Sequence, residues 1–171
     1  MVAYPHPVLV TALGDITAER VDAVVNAANA QLAGGGGVDG SIHRAAGVRE
    51  LQEACRALGG CAPGLAVATD GFALAAQWII HTVGPVWRGG TQHEAETLAS
   101  CYRSCLAVAD EIGARSLALP AISTGVYGYP ALPAATIAVT TARETSTKVE
   151  TVRFIAFDEK TLRLYQQLLC V

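Results

Sequence analysis

Two asparagines, an aspartate and a histidine surround a run of glycines in residues 26–47, NAANAQLAGGGGVDGSIHRAAG. Asn26 and Asn29 follow an apolar run ending in AVV, glycines occupy 34–37, and Asp39 and His43 come next at i,i+4 spacing. On a helix that spacing puts carboxylate and imidazole on one face, one turn apart. Glycines accept positive φ and let a ligand approach the backbone closely, while the first turn of a following helix offers unpaired N–H groups to an anion. Gripping a phosphate or diphosphate is the chemistry this stretch suits. Each part also has a plainer reading: Asp39 as a helix N-cap, His43 as a core histidine, the glycines as a surface loop. Their convergence at one place favours a ligand site.

For these groups to act together, strands and helices must deliver them to one edge. Residues 21–25 predict a strand that runs into the glycine loop, and residues 41–58 a helix interrupted near Gly47. Residues 7–13 predict the first strand, broken by Gly14-Asp15-Ile16-Thr17. Asp15 then falls at a strand's C-terminal end, where open α/β sheets take ligands, or is simply a turn aspartate before a short helix. Residues 65–69 and 77–83 predict two short strands. His81, in the second, has no adjacent triad or metal partners and reads as structural. Thr91 and Glu94 have capping-box spacing ahead of a long amphipathic helix to about residue 112. Residues 116–122 predict a strand feeding a second glycine loop, Ser123-Thr124-Gly125-Val126-Tyr127-Gly128-Tyr129, before a helix over residues 130–147. Two such loops can clasp a diphosphate from opposite sides, with hydroxyls from Ser123 and Thr124 and the Tyr127 ring against a sugar; turn glycines and a packing tyrosine are the equal alternative. Residues 150–157 alternate as a last strand, and Asp158 caps a final helix to residue 169 whose Leu162, Tyr165, Leu168 and Leu169 form an apolar stripe.

Strands alternating with helices imply an α/β fold with a mostly parallel or mixed sheet covered on both faces, and 171 residues suit one domain. With a formal net charge of −3 and only 12 lysines and arginines, the chain carries no basic footprint for a nucleic-acid backbone. Five cysteines form neither a CxxC pair nor a secretory framework, and an odd number cannot all pair within the chain, so they read as reduced. Cys101 and Cys105 are i,i+4 on a helix but lack the further ligands a metal would need, and read as core. The first ten residues lack a leader-like pattern and no apolar run reaches ~20 residues, which predicts a cytoplasmic protein away from membranes. No motif calls for a cofactor or a metal.

Residues 26–47, together with GDIT at 14–17, PAISTGVYGYP at 120–130 and the terminal strand VRFIAF, resemble the macro domain family, specifically its MacroD-like branch. The resemblance covers the chain from near its start to near its end. It implies a single three-layer α/β/α macro domain over residues 1–171 with a central mixed sheet, binding ADP-ribose as a monomer and hydrolysing the ester between mono-ADP-ribose and acidic residues of proteins. O-acetyl-ADP-ribose, an ester on the same sugar, is a further candidate substrate. By the same resemblance Asp15 accepts from the adenine amine, the Ile16 backbone contacts the ring, and Phe157 lies at the adenine edge unless it is a core phenylalanine. Asn26, Gly36, Gly37, Val38 and His43 line the first loop, His43 in a supporting role only. Ser123, Thr124, Gly125, Val126 and Tyr127 hold the diphosphate and distal ribose. Asn29 and Asp39 are the catalytic pair, Asn29 placing the ribose and Asp39 orienting a water. A carboxylate alone is a weak base at neutral pH, so the substrate's diphosphate would assist.

A glycohydrolase of the poly(ADP-ribose) type would show adjacent glutamates after its glycines, where Val38-Asp39-Gly40 stands, and a catalytic-lysine branch is unsuited because the lysines are Lys148 and Lys160. A dinucleotide-dependent redox enzyme would carry GxGxxG after its first strand. The competing expectation from another class is a non-catalytic ADP-ribose reader, which has no need of Asp39.

Overall fold

A computed structural model describes residues 4–170, so part of the N-terminal stretch read above for a leader pattern, residues 1–3, lies outside the described residues, as does residue 171. Six strands form one sheet: β1 (Val8–Leu13), β2 (Ala23–Ala27), β3 (Ala66–Asp70), β4 (Trp78–Thr82), β5 (Ser116–Leu119) and β6 (Thr151–Ala156), in spatial order β1-β6-β5-β2-β4-β3. The β1–β6, β6–β5, β5–β2 and β2–β4 pairs are parallel, and β3 alone runs antiparallel, against β4. The sheet is therefore mixed, and helices cover both faces.

Strand pleating decides what faces each helical layer. Ala23 and Val25 of β2, Ile80 of β4, Leu117 and Leu119 of β5, and Val152, Phe154 and Ala156 of β6 point one way. They pack on α3 (Glu94–Ile112), α4 (Ala131–Glu144) and α5 (Glu159–Leu169). The intervening Val24, Ile79, Ala118 and Ile155 point the other way, onto α1 (Gly37–Ala46) and α2 (Val48–Leu58). This is the three-layer α/β/α arrangement, with a separate apolar core on each side. Cys101 and Cys105 belong to the first core and Cys55 and Cys61 to the second, all as free thiols.

Several boundaries differ from the sequence expectation for identifiable reasons. α1 begins at Gly37, inside the glycine run, because Gly36 takes the N-cap position; Asp39 is thus in the first helical turn and is not the cap. Thr91 and Glu94 do not form a capping box. The N-cap of α3 is His93 in the left-handed region at φ 56°, and the Glu94 carboxylate turns back to accept N–H groups of Arg88, Gly90 and Gln92. Asp158 does cap α5, accepting from Thr161 N–H at 2.7 Å. Among the described residues no helix is long and apolar enough to cross a membrane.

The larger core is closed by Phe154 of β6 and Tyr165 of α5, both essentially without exposed surface and stacked with centroids 5.1 Å apart. Replacing Phe154 by alanine should cost about 3–5 kcal/mol through lost burial and the cavity left behind. Urea unfolding of the variant checks this; a loss below about 1 kcal/mol would show that the Phe154–Tyr165 stack does not close the core as described.

Candidate functional site

Because β1, β2, β4, β5 and β6 are mutually parallel, their C-terminal ends share one edge, and nearly every residue singled out in the sequence is brought there. Asp15 follows β1, Asn29 and the first glycine loop follow β2, Ser123 to Tyr127 follow β5, and Phe157 follows β6. The two glycine loops grow from β2 and β5, which are neighbours in the sheet, so they flank one cleft.

The interior of this edge is set by pleat and register. Asn26 comes one residue after Val25 and His81 one after Ile80, so both side chains point toward α1, and the parallel register places them directly opposite each other. On α1, Asp39 and His43 are both buried beside Ile42 and Ala46. The outcome is a continuous polar chain inside an apolar layer. Asn26 Nδ2 donates to Asp39 Oδ1 at 2.8 Å and lies 3.1 Å from His81 Nδ1. His81 Nε2 lies 2.9 Å from Thr69 Oγ1, and Thr69 donates on to the Asp70 carbonyl at 3.2 Å. His43 Nδ1 lies 3.0 Å from both Asp39 Oδ1 and the Asp39 carbonyl; with acceptors on both sides, that nitrogen carries a proton.

Asp39 is thus gripped through Oδ1, while Oδ2 faces the backbone of the glycine loop: a Cβ on Gly35 would sit 3.5 Å from it. Gly40 is needed for the same fit, since a Cβ there would come within 2.6 Å of the Gly35 carbonyl. The sequence marks neither: the run of four hides which of its members contacts the helix, and Gly40 stands inside the helix, where its neighbour Gly35 comes from the preceding loop. Asn29 closes the loop from the strand side, accepting from Ala33 N–H at 3.0 Å and donating to the Gly34 carbonyl at 2.9 Å. One amide proton of Asn29 is left over for a ligand.

Asn26, grouped above with the ligand contacts, has no exposed surface and spends its amide protons inward, so it supports Asp39 and does not face the cleft. His43 is also buried, with Nε2 unpartnered. His81 departs from its expected isolation; its partners come from β2 and β3, 55 and 12 residues away in the chain, a distance no local motif reveals. Burial first, and then the neighbouring His43, push the His81 imidazole down from 6.5 to about 4, so it is neutral at neutral pH.

Around the rim, Asp15 caps a short 3-10 turn, Ile16–Ala18, accepting through Oδ1 from Thr17 N–H at 2.9 Å and Thr17 Oγ1 at 2.7 Å. It remains exposed, next to the strand end where Gly14 N–H bonds the Ala156 carbonyl. Ile16 turns its side chain into the α1-side core. Phe157 is 94% exposed, which removes the core-phenylalanine alternative. Gly36 and Gly37 are exposed and Val38 is half-buried.

In the second loop Ser123 adopts φ 67°, an uncommon conformation for a residue with a side chain, and its buried Oγ has no partner. Thr124 bonds the Ala121 carbonyl at 2.8 Å, Gly125 and Val126 are exposed, and Tyr127 is half-buried. The segment after β4, legible in the sequence only as a loop over residues 84–90, holds this loop in place. A Cβ on Gly84 would overlap the Ser123 and Ile122 side chains, Trp87 N–H bonds the Tyr127 carbonyl at 2.8 Å, and the Trp87 ring packs 4.6 Å from Tyr129. Glu94 fixes that supporting segment. Desolvation would raise its carboxyl, but the three loop N–H groups outweigh it and hold the group below the usual carboxylate range.

Comparison with known proteins gives the family. The family model for the macro domain matches residues 25–138. A macro domain-containing protein of Chlorobaculum tepidum is 55% identical over 169 residues, covering 96% of this chain and 98% of its own. This chain belongs to the macro domain family. An O-acetyl-ADP-ribose deacetylase of Enterobacter cloacae is 56% identical over 163 residues, covering 91% of this chain and 90% of the relative. Among solved structures, an Oceanobacillus iheyensis macrodomain variant with ADPR superposes with a TM-score of 0.89 at 40% identity, covering 96% of this chain and 93% of the other. A Trypanosoma brucei macrodomain in complex with ADP-ribose gives 0.82 at 39% identity, with 96% and 78% covered.

The depressed His81 value has a thermodynamic consequence. As pH falls below about 6.5 the unfolded chain takes up a proton that folded His81 refuses until about 4, so this residue's effect is to drain stability across that window; above it the contribution vanishes. Denaturant unfolding between pH 4 and 7 should therefore show a shallower loss of stability in His81→Asn than in the parent protein. Equal slopes would mean that His81 titrates normally in the folded state.

Proposed function

We propose that this protein binds ADP-ribose in the cleft between the two glycine loops and hydrolyses esters on its distal ribose, with mono-ADP-ribosylated acidic side chains of proteins and O-acetyl-ADP-ribose as substrates. The observation that carries the reading is Asp39: a buried carboxylate fixed through one oxygen by Asn26 and His43, with its second oxygen beside the backbone of Gly35. A carboxylate next to a diphosphate repels it and contributes nothing to affinity, whereas an acceptor fixed beside a side-chain-free loop suits the orientation of a water. Relatives named as O-acetyl-ADP-ribose deacetylases and macrodomains solved with ADP-ribose support the substrate class.

In this mechanism the N–H groups at the start of α1 and those of Gly125, Val126 and Tyr127 hold the diphosphate, and Asn29 uses its remaining amide proton on the distal ribose. The glycines leave room for the ester beside Asp39 Oδ2. Water held there adds across the ester, releasing the carboxylic acid and a ribose hydroxyl on ADP-ribose; the bound diphosphate helps to polarise the water. At the far end Asp15 accepts from the adenine amine and exposed Phe157 supplies a flat apolar surface. The same reading makes the protein a monomer that acts as one macro domain, with free cysteines that suit a reducing cytoplasm.

Calorimetry should give ADP-ribose binding near micromolar, or about −8 kcal/mol. Asp15→Ala should weaken it by roughly tenfold, the scale of one charge-assisted hydrogen bond, without altering binding of ribose phosphate, which lacks adenine. Unchanged ADP-ribose affinity would reduce Asp15 to the turn cap it already is.

Asp39→Ala separates hydrolase from reader. Turnover of a glutamate-linked mono-ADP-ribose substrate should fall on the order of 10²-fold while ADP-ribose affinity changes little. A wild-type protein that binds ADP-ribose but releases none from either ester is a reader, and full turnover in the variant would leave an enzyme whose water is placed by another group.

A further inference from the structure

Resting on the hydrolase reading above, we propose that His81 is a positioning residue for the reaction: it fixes the Asn26 amide so that Asn26 donates to Asp39, leaving the second carboxylate oxygen of Asp39 for water.

The assignment follows from counting donors and acceptors. A single terminal atom of the Asn26 side chain faces two partners, Asp39 Oδ1 at 2.8 Å and His81 Nδ1 at 3.1 Å. Were that atom the amide oxygen, two acceptor oxygens would oppose each other at 2.8 Å inside the protein. It is therefore the nitrogen, whose two protons serve the two partners. His81 Nδ1 must then accept, so the ring proton is on Nε2 and is directed at Thr69 Oγ1, whose own proton goes to the Asp70 carbonyl. Every bond in the chain from the Asp70 carbonyl to the Asp39 carboxylate has one permitted direction. Both ends are acceptors, and the two protons of Asn26 are what reconcile them.

The Asn26 oxygen is buried without a donor, so the amide is not held from that side. Without an acceptor at the His81 position, one Asn26 proton would be orphaned too, and the amide, held only by its bond to Asp39, would swing toward another acceptor and draw the carboxylate out of line. A doubly protonated His81 would do the same, by putting a proton where Asn26 also donates. Burial of the ring, with no exposed surface, keeps it neutral. His81 is completely enclosed and does not reach the cleft, so its effect passes through Asn26 and belongs to kcat rather than to ligand affinity.

Two substitutions separate this role from simple core packing. His81→Leu keeps bulk but offers no acceptor, whereas His81→Asn can place an amide oxygen near the position of Nδ1. With O-acetyl-ADP-ribose as substrate, His81→Leu should lose about tenfold or more in kcat, on the scale of losing an orienting partner, while calorimetry shows ADP-ribose affinity near that of the parent; His81→Asn should keep most of the turnover. Wild-type turnover in His81→Leu overturns the proposal. So does an equal loss in two folded variants that both bind ADP-ribose, since a packing role predicts that pattern. If His81→Leu does not fold, nitrogen-15 spectra of the parent protein decide: the proposal requires Nδ1 unprotonated and Nε2 protonated at pH 7, and a protonated Nδ1 overturns it. A parent protein that hydrolyses neither ester refutes the hydrolase reading and the catalytic role resting on it, while the same spectra still report whether the hydrogen-bond direction is right.

Discussion

One nitrogen atom, Nδ2 of Asn26, joins the sheet to the helix that carries Asp39. It is shared between a carboxylate on α1 and an imidazole on β4, in a layer that otherwise contains Ile42, Val24, Ile79 and Leu51. In such surroundings an unpaired polar group is costly, so the chain of bonds tolerates little rearrangement. The position of α1 over the sheet, the entry of the glycine loop and the turn of Asp39 Oδ2 toward Gly35 are consistent with satisfying that group. The close contact of Gly40 with the Gly35 carbonyl completes the constraint from the loop side.

The opposite wall of the cleft is built differently. Residues 123–129 have few bonds to the sheet itself and are held by the segment after β4, through Gly84, Trp87 and, indirectly, the N–H groups gathered by Glu94. The orphaned Ser123 hydroxyl and its left-handed backbone are local costs of this tight loop, in which Thr124, Gly128 and Tyr129 N–H bond the carbonyls of Ala121, Gly125 and Ser123. One wall is fixed by a buried polar network and the other by packing against an aromatic strap. In the proposed function, a diphosphate between them would meet backbone donors from both.

Much of this was legible in the sequence because it is local. The order of strands and helices, the two glycine loops and the i,i+4 relation of Asp39 to His43 lie within short windows, and the macro domain resemblance rests on the same windows. The start of α1 was misplaced because glycine is a poor helix former, and propensity gives no sign that the glycine run itself enters the helix. Thr91 and Glu94 matched a capping box by spacing alone, whereas three loop N–H groups compete for the same carboxylate. His81 reads as structural from local pattern, which does not reach its partners. Its meaning depends on the parallel register between β2 and β4, which sets Asn26 opposite it, and register is a property of the assembled sheet.

The central claim is that Asp39 holds a water with the oxygen that Asn26 and His43 leave free. A crystal structure with ADP-ribose bound tests it most directly. The distal ribose should lie against the glycines of residues 35–37, with an ordered water within hydrogen-bond reach, about 2.6–3.2 Å, of Asp39 Oδ2. A ribose that itself bonds Oδ2, or that lies away from the first loop with no room for water beside the carboxylate, would contradict the account.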